Sequence, residues 1–207
     1  MPIGSGVCGL SARNEPMTYQ RRTIFLLVWL GVALACPLPT WPDSTDYVIE
    51  ISKSKREMLV LQGNNIYKRY AIASGRGGSG DKKLTGDLKT PIGTYRIVRF
   101  NDSSKFHRFL QLNYPNVKDA FYGYKSKLIS RQEFDLIIDA FNKGKIPPQN
   151  TKLGGAIGIH GIGNITDKKL QIHHALNWTE GCVALTNEDV EELRRNVPLG
   201  TKVIITD

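Results

Sequence analysis

Beyond residue 45 the chain alternates between short apolar runs and polar breaks. Runs rich in β-branched and aromatic residues cover 47–51, 58–62 and 66–73, each the length of a strand. Gly63, Asn64 and Asn65 separate the second run from the third, which predicts a hairpin. Residues 74–87, SGRGGSGDKKLTGD, are dense in glycine and charge and read as an exposed loop. TYRIVRF, 94–100, follows Pro91 and Gly93 and reads as a strand. The character then changes over 113–150. Ser130 with Glu133 forms a capping box, and Phe134, Leu136, Ile137, Ile138 and Phe141 supply an apolar helical face ending at Gly144. Strand character returns in GGAIGIH, 154–160. Thr186 with Asp189 makes a second capping box opening the helix NEDVEELRRN, and TKVIIT closes the chain as a strand. The sum is a mostly β domain, of class β or α+β, with one or two helices and a helical insertion over 113–150.

The N-terminal pattern is different in kind. Arg21 and Arg22 precede TIFLLVWLGVALA, 23–35. This run has 13 residues, whereas a helix crossing a bilayer core takes about 20, so a signal-peptide profile fits better than a stable span. Ala33, Leu34, Ala35 and Cys36 read as an A-x-A cleavage site or as a loose lipobox ending in a lipid-modifiable Cys36; an uncleaved anchor is the third reading. All three place the remainder in the periplasm or cell envelope, with membrane contact confined to the N-terminal signal, anchor or lipid. Met17 is an alternative start, because a long polar prefix before a basic n-region is unusual in a secretory signal. The predicted organisation is therefore 1–35 signal or anchor, 36–45 proline-rich linker, and 46–207 folded domain.

Composition narrows the classes. With 207 residues, 41% hydrophobic and 23% charged, the chain has globular proportions, which exclude wholesale disorder and a polytopic membrane protein. The net charge of +9 falls to +7 without residues 1–35. A basic domain suits an acidic partner, and export without a nucleic-acid-binding motif disfavours nucleic acid. Three cysteines, an odd count with no CxxC, argue against a disulfide scaffold or zinc knuckle. G-x-G-G-x-G in the loop is not followed by an apolar helix, so the helix N-terminus that a dinucleotide phosphate needs is missing.

Cys182 lies in the folded part, after Gly181 and just before a predicted helix. A lone buried cysteine is ordinarily an inert small hydrophobe. Outside the cytoplasm an unpaired thiol is prone to oxidation, so its retention in a glycine-flanked turn suggests use as a nucleophile. Such a thiol needs a base, and the base needs an orienting group. Of four histidines, His160 ends an apolar strand and is followed by Gly161, at a strand end open to substrate. His173 and His174 lie in the apparent loop approaching Cys182, and His107 sits among polar residues in a surface setting. Trp178 walls a pocket or packs in the core. The histidines lack the spacing of metal ligands, so no metal site and no cofactor are expected.

Three segments, GDLKTPIGTYRI (86–97), IGIHG (157–161) and TEGCVALTNEDV (179–190), resemble the YkuD-type L,D-transpeptidase catalytic domain in the family's order. The resemblance implies a β-rich fold and a cysteine enzyme acting on peptidoglycan stem peptides. It assigns Cys182 as nucleophile, His160 as general base, the Gly161 carbonyl as the group orienting His160, and Gly181 with the Cys182 N–H to the oxyanion region. It implies a thioester with release of D-alanine, then resolution by an amine in transpeptidation. Resolution by water would instead make an L,D-carboxypeptidase or amidase, and a non-catalytic peptidoglycan-binding module is a further reading, against which Cys182 argues. The family's frequent S-H-G-C-[IV]-R reads T-E-G-C-V-A here. Thr179 keeps the hydroxyl, Glu180 replaces a histidine, and Ala184 removes a charged grip on a carboxylate. Thr179, Glu180, Trp178 and Lys89 are the expected substrate-binding residues, with Lys82 and Arg76 as other cations of the loop. The insertion is either a lid over the site or a unit packed elsewhere.

Overall fold

The computed structural model describes residues 47–207; the signal, anchor and linker readings of 1–45, Cys8 and Cys36 included, lie outside the described residues. Eight strands form one sheet in the order β3-β2-β1-β8-β4-β5-β6-β7. Strand β1 (Tyr47–Ser52) pairs with β2 (Glu57–Gln62), and β2 turns into β3 (Asn65–Ala71) through Gly63, whose φ of +57° suits the tight hairpin. The C-terminal β8 (Lys202–Thr206) inserts parallel to β1 and antiparallel to β4 (Gly93–Ser104). Alternation explains the shared core face: Ile49 and Ile51 of β1 and Val203 and Ile205 of β8 are all buried, while Glu50 between them faces out.

Strand β4 is longer than the apolar run predicts and returns as β5 (His107–Leu112). The polar stretch Asn101–Ser104 concealed this hairpin, because its turn carries a positive φ at His107 (+76°) instead of at a glycine or asparagine. Strand β5 pairs with β6 (Gly158–His160), which pairs in parallel with the two-residue β7 (Val183–Ala184).

Helices α1 (Val117–Lys125) and α2 (Arg131–Asn142) make up the insertion. The capping box at Ser130 and Glu133 is reciprocal, and a second such box at Asn116 and Asp119 opens α1, which the apolar pattern did not reveal. Ala120, Ile129, Ile137 and Leu153 form a small core of their own. Helix α3 (Asp167–Ala175) corrects the expected loop around His173 and His174. Its sequence DKKLQIHHA has no continuous apolar stripe; it is held by the Thr166 N-cap and by Arg56, which donates to the His173, His174 and Leu176 carbonyls at its C-terminus. Helix α4 (Asn187–Asn196) starts at Thr186, whose hydroxyl accepts from the Asp189 N–H, and buries Val190 and Leu193 in the main core.

The glycine-rich loop is not simply exposed. Ser74 and Lys82 are 3% and 5% accessible. Asp87 accepts from the Lys83, Leu84 and Lys89 N–H groups and from Lys82 Nζ, while Asp81 accepts from the Ile92 N–H and Lys53 Nζ donates to Gly80 O. Side chains thus satisfy backbone groups that a ladder would otherwise pair.

Candidate active site

Parallel pairing of β6 with β7 closes the 22 positions between His160 and Cys182. His160 lies opposite Ala184 and Ile159 opposite Val183. Cys182 precedes Ala184 by two residues, which puts it on the same face as His160 under strand alternation. Both line a single cavity of about 720 Å³, within the range of small-molecule sites. The glycine loop, residues 154–157, the β4–β5 turn and Trp178–Glu180 make up its other walls.

The imidazole of His160 is 2% accessible, with Nδ1 2.6 Å from Gly161 O. A carbonyl only accepts, so Nδ1 carries the proton and Nε2 is left as the free base of the neutral ring. Burial lowers its pKa to about 4, against the opposing pull of the Gly161 carbonyl. The half-buried Cys182 thiol donates to Ala156 O at 3.3 Å. Burial pushes its pKa up to about 11; the Gly158 N–H and Lys82 charge work the other way, and Glu180 adds to the rise. The resting pair is therefore thiol and neutral imidazole, in which sulfur becomes nucleophilic only as a base removes its proton.

The backbone around Cys182 is tied by two buried hydroxyls. Thr179 Oγ1 donates to Cys182 O at 2.6 Å and accepts from the Gly181 N–H at 3.2 Å. Thr90 Oγ1 also reaches Cys182 O, at 3.4 Å, and accepts the Gly75 N–H at 2.8 Å. Gly181 has φ +133°, and a Cβ there would come 2.9 Å from Lys89 O. Two expectations change. The Gly181 N–H is engaged by Thr179, which leaves the Cys182 N–H as the donor of that turn available to an oxyanion. Thr179 borders the cavity, yet its hydroxyl serves the turn and not a ligand.

Of the three cations singled out in the loop, Arg76 and Lys82 line the cavity and Lys89 does not; Lys105 of the β4–β5 turn lines it as well. Lys89 extends along the far side of its loop, where its Nζ lies beside Gly80. Lys82 Nζ sits 2.7 Å from Asp87 Oδ1 and 2.9 Å from Leu84 O. Glu180 stands at the rim, 80% exposed and 3.4 Å from Arg76. Trp178 both walls the cavity and packs: its Nε1 donates to His173 Nδ1 at 3.3 Å and its ring meets His160 edge-on. His173 is buried off the cavity and His174 is exposed.

No residue of 113–150 lines the cavity, so the insertion packs elsewhere. It supports the site from behind through Gln149, which accepts the Ala156 N–H at 2.7 Å. Phe106, Thr90 and Ala156 complete the site without having been singled out from the sequence. Thr90 stood inside the KTPIG segment, whereas nothing local distinguished Phe106 or the positive φ (+52°) of Ala156. Among the described residues no group of His, Cys, Asp and Glu is arranged to hold a metal.

The family model for the YkuD L,D-transpeptidase catalytic domain matches residues 46–205. The Escherichia coli (strain K12) protein "Putative L,D-transpeptidase YafK" is 30% identical over 87 residues, 39% of this chain and 35% of that protein. The crystal structure of the helical cell shape determining protein Pgp2 (K307A mutant) from Campylobacter jejuni aligns with a TM-score of 0.52 at 22% identity. That alignment covers 81% of this chain and 49% of Pgp2. The shared region is thus about a third of YafK and half of Pgp2, and the mostly β architecture is common to this chain and Pgp2.

Proposed function

This chain belongs to the YkuD family of L,D-transpeptidase catalytic domains, and from that membership we propose that it is an exported cysteine acyltransferase acting on peptidoglycan stem peptides. The observation that carries the reading is the pairing of a free thiol and an oriented neutral imidazole in one cavity.

Cys182 Sγ attacks the carbonyl carbon between a diaminoacyl residue and D-alanine while His160 Nε2 takes the thiol proton. The oxyanion forms beside the Cys182 N–H, and one positioned donor of this type is worth ~2.7 to 4 kcal/mol. Collapse breaks the C–N bond, and the imidazolium returns the proton to the leaving amine of D-alanine. An acceptor amine then attacks the thioester and passes its proton to Nε2. The C–S bond breaks, and the thiolate recovers the proton from His160. The exposed Arg76 and Lys105 of the cavity wall supply the positive charge that Ala184 lacks, matching the carboxylates of the polymer, whereas the Lys82 charge is taken up by Asp87. The signal-like run 23–35 supports export, which a substrate outside the cytoplasmic membrane would require.

Mass spectrometry of the full-length protein with a purified tetrapeptide muropeptide tests this. A thioester on Cys182, absent in Cys182→Ala and in His160→Ala, followed by crosslinked dimers, is expected. Tripeptide without dimer would make the protein a hydrolase, and saturable binding with neither product would overturn the enzyme reading.

A further inference from the structure

The tip of the β4–β5 hairpin covers the imidazole. The Phe106 ring stacks on His160 with centroids 4.3 Å apart and planes at 27°. Phe109 stacks at 6.3 Å and Trp178 stands edge-on at 6.0 Å. Close backbone approach makes the stack possible: a Cβ on Gly161 would come 2.8 Å from Phe106 O, and one on Gly163 would come 2.4 Å from Lys105 O. Larger residues at either glycine would lift the tip off the site.

The hairpin is also fastened from its other side. Arg108 forks onto the Glu191 carboxylate of α4 at 2.6 and 3.0 Å, and Arg194 reaches Asp102 at 3.1 and 3.3 Å. A bidentate arginine–carboxylate pair is the stronger, more directional kind of surface link. Helix α4 begins shortly after Cys182 and β7. The element that covers the imidazole is therefore tied to the element that follows the thiol.

We propose that Phe106 is a positioning residue: its ring fixes the plane of His160, and with it the direction of the in-plane Nε2 lone pair that takes the thiol proton. The proposal rests on the reading of His160 as the base. Nδ1 is anchored to Gly161 O at 2.6 Å, and the stacked ring removes the rotation about that anchor that would swing Nε2 away from the thiol. A small misplacement of a base lowers the rate of every step that passes a proton through it.

The experiment follows the full-length protein with a tetrapeptide donor and a diamino-acid acceptor, measuring kcat and KM for thioester formation. Phe106→Ala is expected to lower kcat for acylation on the order of 10- to 100-fold, with KM little changed. Phe106→Tyr, which keeps the stack, should restore kcat. Glu191→Gln, which loosens the hairpin from α4, should lower kcat by less. Should Phe106→Ala fail to fold, Phe106→Leu, similar in bulk without a flat ring to stack, is expected to show the loss. Parental kcat in the folded Phe106→Ala or Phe106→Leu variant would overturn the proposal. Absence of a thioester in the parent protein would instead overturn the acyltransferase reading itself.

Discussion

Thr179→Val replaces the hydroxyl that ties the Cys182 turn by a methyl of nearly the same shape. The side chain is buried, its Oγ1 2.6 Å from Cys182 O and 3.2 Å from the Gly181 nitrogen. Valine leaves the Gly181 N–H without a partner, whereas Cys182 O keeps the longer bond from Thr90. An orphaned buried donor costs ~1–3 kcal/mol and a lost ordinary hydrogen bond a further ~0.5–1.5 kcal/mol. Together they predict a loss of about 2–4 kcal/mol, a large share of the ~5–15 kcal/mol that holds a typical domain. At roughly 2–4 °C per kcal/mol for a domain of this size, the midpoint should fall by roughly 5–15 °C. Urea denaturation and thermal melting read this directly, and the acylation rate should fall as well, because the Cys182 N–H is no longer aimed. Thr179→Ser keeps the hydroxyl and should recover most of the loss. A Thr179→Val midpoint within error of the parent, or a serine variant as impaired as the valine one, would refute the reasoning.

Gly181→Ala forces a Cβ against Lys89 O at φ +133°, so a loss of about 2 kcal/mol or more and a strongly reduced acylation rate are expected in melting and thioester assays. With its thiol near 11, Cys182 should react with iodoacetamide about tenfold or more slowly than a free cysteine at pH 7.5, its rate still climbing at pH 9; a plateau below pH 9 would contradict the burial argument. Acylation by the stem peptide should collapse on acidification through pH 4, where His160 becomes protonated and ceases to be a base. Lys82→Met removes the buried cation beside the half-buried Asp87 carboxylate and should cost about 2 kcal/mol in urea titration, whereas Lys89→Ala should cost under about 1 kcal/mol. Asp87 is held below its ordinary pKa by Lys82 and three backbone N–H groups. Its contribution is therefore complete above the ordinary carboxylate pKa and disappears as pH falls through the lower folded value, so the parent and Lys82→Met stability curves should converge in acid.

Signals that act over a few residues were legible in the sequence. The Gly63 hairpin, the Ser130 capping box, the α4 start at Thr186 and the alternation of β1 and β8 each depend on neighbours in the chain, and each appears where the pattern puts it. The elements that escaped notice lacked such signals: β5 follows a turn without glycine, α1 has a short mixed face, and α3 has no apolar stripe and borrows Arg56 from across the fold.

The candidate site divides along the same line. The amino-acid order by itself identified the family resemblance and singled out Cys182 and His160, because a free thiol in a glycine-flanked turn and a histidine at a strand end are chemical facts of composition and position. Only the tertiary structure decided what surrounds them: that Lys82 and Arg76 and not Lys89 face the cavity, that Thr179 serves the turn, and that Phe106 lies on the imidazole. It also decided the protonation of the pair, with His160 lowered and Cys182 raised. The reason is physical. Burial and convergence come from contacts between segments far apart in the chain, where packing and desolvation, which have no local pattern, set both position and charge.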